Sequence, residues 1–155
     1  MDAPFGEASS YYQEISEIIN TLEIYQDTSI KPIIMACTSS YPCTDDEVHL
    51  NTIKTFKRKL KDLIKDVGYS DHSLGNTACL IAASIGANYL EVHFTNSRKN
   101  RGPDHVLSAT PDDLMNLRNE LDRLEKMLGS YEKSPRPLEY ETWRLQKKGL
   151  YAKNE

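Results

Sequence analysis

The 155-residue chain has no apolar run near the roughly 18 residues that a bilayer-spanning helix requires. Its longest candidate, ACLIAASIGA at 78–87, is too short, so no membrane partner is expected. The amino-terminal MDAPFGEASS has neither a basic stretch nor an apolar core, and is not expected to act as a signal peptide. Positive charge is not in surplus either. A net charge of −4 and a pI near 5.6 argue against a general nucleic-acid binder. Lys54, Lys57, Arg58, Lys59 and Lys61 crowd one stretch, but Leu50, Ile53, Phe56, Leu60 and Ile64 interleave with them. That is the solvated face of an amphipathic helix. Cysteine is scarce: Cys37, Cys43 and Cys79 are odd in number and lack metal-site spacing, which suits a reducing, cytoplasmic location.

What is present is an alternation of two periods. Ile15, Ile18, Ile19 and Leu22 recur at helical spacing within 10–22, and KPIIMAC at 31–37 reads as a short buried strand. A helix is predicted from about 48 to 65, a strand over 67–70, and an uncharged, alanine-rich buried helix over 75–87. NYLEVHF at 88–94 is a strand whose faces differ. Side chains alternate along a strand, so Tyr89, Glu91 and His93 share one side and Leu90, Val92 and Phe94 the other. Thr110 as N-cap, Pro111 in the first turn, and Asp112 and Asp113 at the positive dipole end start a last helix. Leu114, Leu117, Leu121, Leu124 and Leu128 form its apolar stripe, and Gly129 ends it. Residues 130–155 are polar with two prolines and read as a linker. Helices between successive strands imply a parallel sheet. About three strands with two open edges suggest part of something larger.

Three polar clusters fall at the carboxyl ends of these strands: CTSSYP (37–42), YSDHS (69–73), and EVHF running on through TNSRKNRGPDH (91–105). In parallel α/β folds ligands bind at that end. In a closed barrel the polar face of NYLEVHF would point into the lumen and its apolar face onto the outer helices. His72 and His93, at the ends of neighbouring strands, could share one divalent metal with water or substrate oxygen completing its shell. An Asp–His pair in such a loop is also commonly a capping feature, and alternating polar residues are commonly a solvated face. Both readings stay open on the residues alone.

CTSSYP, GYSDHSLG, IGANYLEVHFT and RGPDHVLS, in that order and spacing, resemble the N-acetylneuraminate (sialic acid) synthases. The match runs from about Lys31 to Leu128. It implies an α/β fold, the carboxyl-terminal part of a (β/α)8 TIM barrel, with residues 1–129 as an incomplete barrel holding strands six to eight. Residues 130–155 would lead toward an antifreeze-like domain. The family condenses phosphoenolpyruvate with N-acetylmannosamine or a related amino sugar. By resemblance, His72 and His93 would bind Mn²⁺ or Mg²⁺, and Tyr41, Ser70, Glu91 and Asp104 would contact the sugar. Glu91 would orient hydroxyls and Asp104 would hold hydroxyls or metal-bound water.

The chain also departs from this pattern. A whole barrel takes roughly 250 residues, and the first five strands, with the family's general-base glutamate and phosphate-holding lysines, have no counterpart here. DAPFGEASS at 2–10 looks like an insertion, and Lys147 and Lys148 in QKKGLYAKNE stand where the family usually has arginines. Ala36 replaces a common histidine near the ligand end, and Val92 a usually basic residue. Arg98, Lys99 and Arg101 are a weak substitute for the phosphate clamp. His105 is given no role beyond a loop hydrogen bond. The expected partner is a polypeptide supplying the missing half-barrel, or further copies of this chain. The alternatives to an enzyme part are a metal- and sugar-binding module, or a remnant that associates with an intact synthase.

Overall fold

In a computed structural model that describes residues 7–9, 14–26 and 28–142, four strands and four α-helices alternate. They are β1 (Glu7–Ser9), α1 (Ile15–Glu23), β2 (Ile33–Cys37), α2 (Asn51–Lys59), β3 (Asp66–Asp71), α3 (Thr77–Ser84), β4 (Tyr89–Val92) and α4 (Pro111–Leu128). The strands lie side by side in the order β1-β2-β3-β4, and every pairing is parallel. Three of them are the strands legible in the sequence. The fourth, β1, lies inside the stretch that looked like an insertion, where Glu7 pairs with Ile33 and Ser9 with Met35. Three residues are too few to show a hydrophobic period, which is why the pattern missed it.

The strands' apolar sides and the inner helix faces make one core. Ile34, Ala36, Val67 and Tyr69 of the sheet meet Ile18, Leu22, Ile53, Phe56, Ala78, Cys79, Ala82 and Leu117 of the helices. Small residues let α3 approach the sheet closely, as its alanines suggested. Helix α2 is shorter than predicted. It stops at Leu60, and a tight turn, with the Leu63 and Ile64 N–H groups both donating to the Leu60 carbonyl, drives Leu60 and Ile64 into the core. Leu90 and Val92 pack against that core as expected, but Phe94 does not. The chain has left the ladder there, bridging only to Ala109, and Phe94 stays 54% exposed.

The α4 stripe is also less covered than its period implied. Leu117 is buried, Leu114, Leu121 and Leu124 are half-buried, and Leu128 is exposed. With Ala83, Ala87, Leu90 and Val92 they line an open groove of about 620 Å³ beside β4. Beyond α4 the described chain to residue 142 is exposed apart from a half-buried Ser134, with one helical turn at Pro137–Glu139, while QKKGLYAKNE lies outside the described residues. Among the described residues no helix is long and apolar enough to cross a membrane.

Candidate functional site

Register builds the site in rows. On the side of the sheet opposite the helices, Cys37 of β2 aligns with Ser70 of β3, and Ser70 with Glu91 of β4. One step lower, Met35 aligns with Gly68 and Gly68 with Tyr89. A side-chain carbon at Gly68 would collide with Met35 Sδ and lie 2.8 Å from the Tyr89 carbonyl oxygen. Glycine therefore lets the Met35 side chain lie across β3 as a floor. Above it, Ser70 Oγ donates to Glu91 Oε1 at 2.7 Å, so the buried hydroxyl orients the carboxylate.

The top row is aromatic. The ring centroids of His72 and His93 are 5.2 Å apart and edge-on. Tyr41 lies 4.1 Å from His72 and 5.5 Å from His93, so the three rings form one cluster. His72 is 2% exposed. Its Nδ1 sits 2.9 Å from the Thr38 carbonyl oxygen. A carbonyl can only accept, so Nδ1 carries a hydrogen, and in the neutral ring Nε2 is then the nitrogen with the lone pair. The Cys37 thiol sulfur is 3.7 Å from the same Nδ1. Asp104, on the one-turn helix Asp104–Val106, places Oδ2 4.0 Å from His93 Nδ1. Tyr41, Ser70, His72, Glu91, His93 and Asp104 are thus brought to one end of the sheet. Among the described residues no group of three or more His, Cys, Asp or Glu side chains is arranged to hold a metal, so the two imidazoles would need oxygen ligands from elsewhere.

Behind β3 lies a second polar cluster. Asp71 is buried and accepts hydrogen bonds from the Tyr69 hydroxyl, the Ser73 N–H and the Cys79 thiol. Burial first, then the Asp71 charge and its hydrogen bond, push the Tyr69 hydroxyl and the Cys79 thiol well above their usual ranges. Both stay protonated donors. Burial and the same carboxylate also raise the Cys43 thiol. The sequence marked Tyr69, Asp71 and His72 as one polar cluster but not the thiol that also holds the aspartate, because Cys79 lies eight residues further on, in the buried helix.

Other expectations resolve simply. Ala36 is in the core opposite Tyr69, on the helix side, so the residue in the histidine's place does not face the rings. Arg98 is engaged, donating from Nε to the Ser108 carbonyl and from Nη2 to Asp113 Oδ2 at 2.9 Å. It braces the start of α4 and is not a free phosphate clamp. His105 Nδ1 lies 2.8 Å from Thr95 Oγ1, a loop hydrogen bond. Ser39 of CTSSYP was given no role, yet its buried Oγ has no hydrogen-bond partner among the described residues.

The model of the NeuB family matches residues 7–133. An uncharacterized protein of Methanocaldococcus jannaschii is 38% identical over 146 residues, 94% of this chain and 42% of that protein. The N,N'-diacetyllegionaminic acid synthase of Legionella pneumophila is 35% identical over 125 residues, 79% of this chain and 34% of the synthase. In three dimensions the crystal structure of the N-acetylneuraminic acid synthetase from Leptospira borgpetersenii superposes with a TM-score of 0.75 and 33% identity, covering 90% of this chain and 48% of that one. The chain spans less than half the length of each of these relatives.

Proposed function

Because the chain belongs to the NeuB family, we propose that it carries the sugar-binding part of a synthase site, one that condenses phosphoenolpyruvate with N-acetylmannosamine or a related amino sugar. The observation that carries this reading is the convergence of the Tyr41, His72 and His93 rings above the Ser70–Glu91 hydrogen bond, at the carboxyl ends of parallel strands. In the reaction C3 of phosphoenolpyruvate bonds to the sugar aldehyde carbon, water adds at C2, and phosphate departs with C–O cleavage. Glu91, held by Ser70, accepts hydrogen bonds from sugar hydroxyls and orients the aldehyde. Tyr41 covers the sugar beside the imidazoles, and Asp104 accepts from a hydroxyl or water near His93.

In this reading His72 and His93 would hold a divalent ion such as Mn²⁺ or Mg²⁺ together with oxygen ligands from elsewhere. The Thr38 carbonyl fixes the hydrogen of His72 on Nδ1 and leaves Nε2 as a ligand atom, with His93 beside it. When bound, the ion supplies Lewis-acid polarisation of the aldehyde oxygen. What the described residues do not offer is a cationic cradle for phosphate, since Arg98 is spent on α4 and Lys99 and Arg101 are exposed. Charge developing on phosphate must be met by preorganised donors. Those groups, and a general base, come in this reading from further βα units that complete the barrel.

The test is phosphate release from phosphoenolpyruvate, N-acetylmannosamine and Mn²⁺. No release is expected from the chain alone, and release is expected once a polypeptide supplying the other βα units is added. Turnover by the highly purified chain alone would overturn the dependence on added units. An assembled barrel that binds sugar and Mn²⁺ but releases no phosphate would favour the binding-module reading.

A further inference from the structure

Asp71 stands directly before His72 but faces the opposite side of the sheet. Asp71 is 5% exposed. Oδ1 accepts from the Tyr69 hydroxyl at 3.0 Å and from the Ser73 N–H at 2.8 Å, and Oδ2 accepts from the Cys79 thiol at 3.2 Å. The three donors belong to three pieces of chain: strand β3, the turn after it, and the first turn of α3. One buried carboxylate therefore ties the strand, the turn and the helix together around the residue between them. A buried carboxylate is costly unless its oxygens are satisfied, so its retention here calls for a use.

His72 is held from the other side too. Its carbonyl accepts from the Cys43 N–H at 2.8 Å, and its Nδ1 donates to the Thr38 carbonyl at 2.9 Å. Those two bonds fix the ring only if the turn beneath it is fixed. A turn free to rotate would carry Nδ1 away from Thr38 and shift the ring from its edge-on place beside His93.

We propose that Asp71 is the positioning residue for His72, locking the β3–α3 turn from the helix side so that the imidazole holds its Nδ1–H tautomer and its edge-on place beside His93. The role is distinct from ligand contact, since Asp71 lies behind the sheet. It deepens the reading of His72 as a ligand-side group, and it is testable on the ring itself without ligand.

The experiment is long-range ¹⁵N–¹H correlation of the His72 ring in the full chain near pH 7.5 without metal, followed by Mn²⁺ titration read by electron paramagnetic resonance. The native chain should show a single Nδ1–H tautomer. Asp71→Ala should give a mixture of tautomers and about a 10- to 100-fold loss in Mn²⁺ affinity, the range for losing a partner that orients a ligand. Asp71→Asn, which keeps an acceptor for Tyr69 and Ser73, should restore the single tautomer. If Asp71→Ala fails to fold, the Tyr69→Phe/Cys79→Ala double variant, which keeps the carboxylate but removes two donors, takes its place and should also mix the tautomers. An unchanged His72 tautomer in Asp71→Ala, or in the double variant where that takes its place, overturns the proposal. A native chain that shows the single tautomer but binds no Mn²⁺ even when assembled with the other βα units would instead sink the metal reading and leave the positioning role standing.

Discussion

Ser70 and Glu91 hold one another at 2.7 Å, so under the proposed reading a sugar hydroxyl would meet an oxygen already fixed in place. Glu91→Gln keeps the shape but removes the charge. In the assembled synthase it should lower kcat/KM by about 10- to 100-fold, the rate equivalent of the roughly 1.5–3 kcal/mol of a charged hydrogen bond. A steady-state assay at saturating phosphoenolpyruvate checks this. His72→Ala and His93→Ala should each weaken Mn²⁺ binding to the assembled protein, measured by calorimetry, and equal affinity in all three proteins would count against a shared ion. The buried thiols set a pH dependence. Burial raises Cys79 and Cys43 in the fold, so both forms are protonated below the ordinary thiol value of roughly 8.5 and stability there is insensitive to them. Above it the unfolded chain loses protons that the folded chain keeps, and stability falls. Melting temperature should therefore decline between about pH 8.5 and 10, and decline less steeply in Cys79→Ala.

Helix α4 shows what a sequence can and cannot disclose. Its start was legible in Thr110 as N-cap, and the structure adds a reciprocal bond: the Thr110 N–H donates to Asp113 Oδ2 at 2.8 Å, and the Asp113 N–H reaches back to Thr110 Oγ1. That capping box also lowers the Asp113 carboxyl, through the hydrogen bonds from Thr110 foremost. Thr110→Ala should cost about 1 kcal/mol, read from urea midpoints at unchanged slope. The α4 stripe was legible as apolar but not as half-covered, because periodicity names a buried face without saying which chain buries it. The site followed the same division. His72 and His93 were placed by strand ends, and the structure puts their rings 5.2 Å apart. Asp71's partners were hidden, since Tyr69, Ser73 and Cys79 meet only when β3, its turn and α3 are folded together. Phe94 was misplaced because alternation was carried past the end of β4.

At the scale of the molecule the sheet has two outer strands, and the apolar groove of about 620 Å³ runs beside one of them. Unpaired ladder groups next to exposed leucines recruit further chain. Sedimentation velocity on the isolated 155-residue chain should show species heavier than its 17.7 kDa, and a stable, cooperatively melting monomer would contradict this. The order of the strands carries one more consequence. Each pairs with its neighbours along the chain, Ile33 with Asp66 and, 21 residues apart, Gly68 with Tyr89. Closing loops of these two lengths differs by only about 0.4 kcal/mol, so loop entropy does not rank the pairings. Burial does, and β3, buried along most of its length and flanked on both sides, ranks first. Amide hydrogens from Val67 to Asp71 should exchange with deuterium more slowly than those of β1 or β4, opening only when the whole sheet opens. The strand that leads into His72 would then be the last to let go, so the imidazole keeps its place while the edges of the sheet fray and re-form around it.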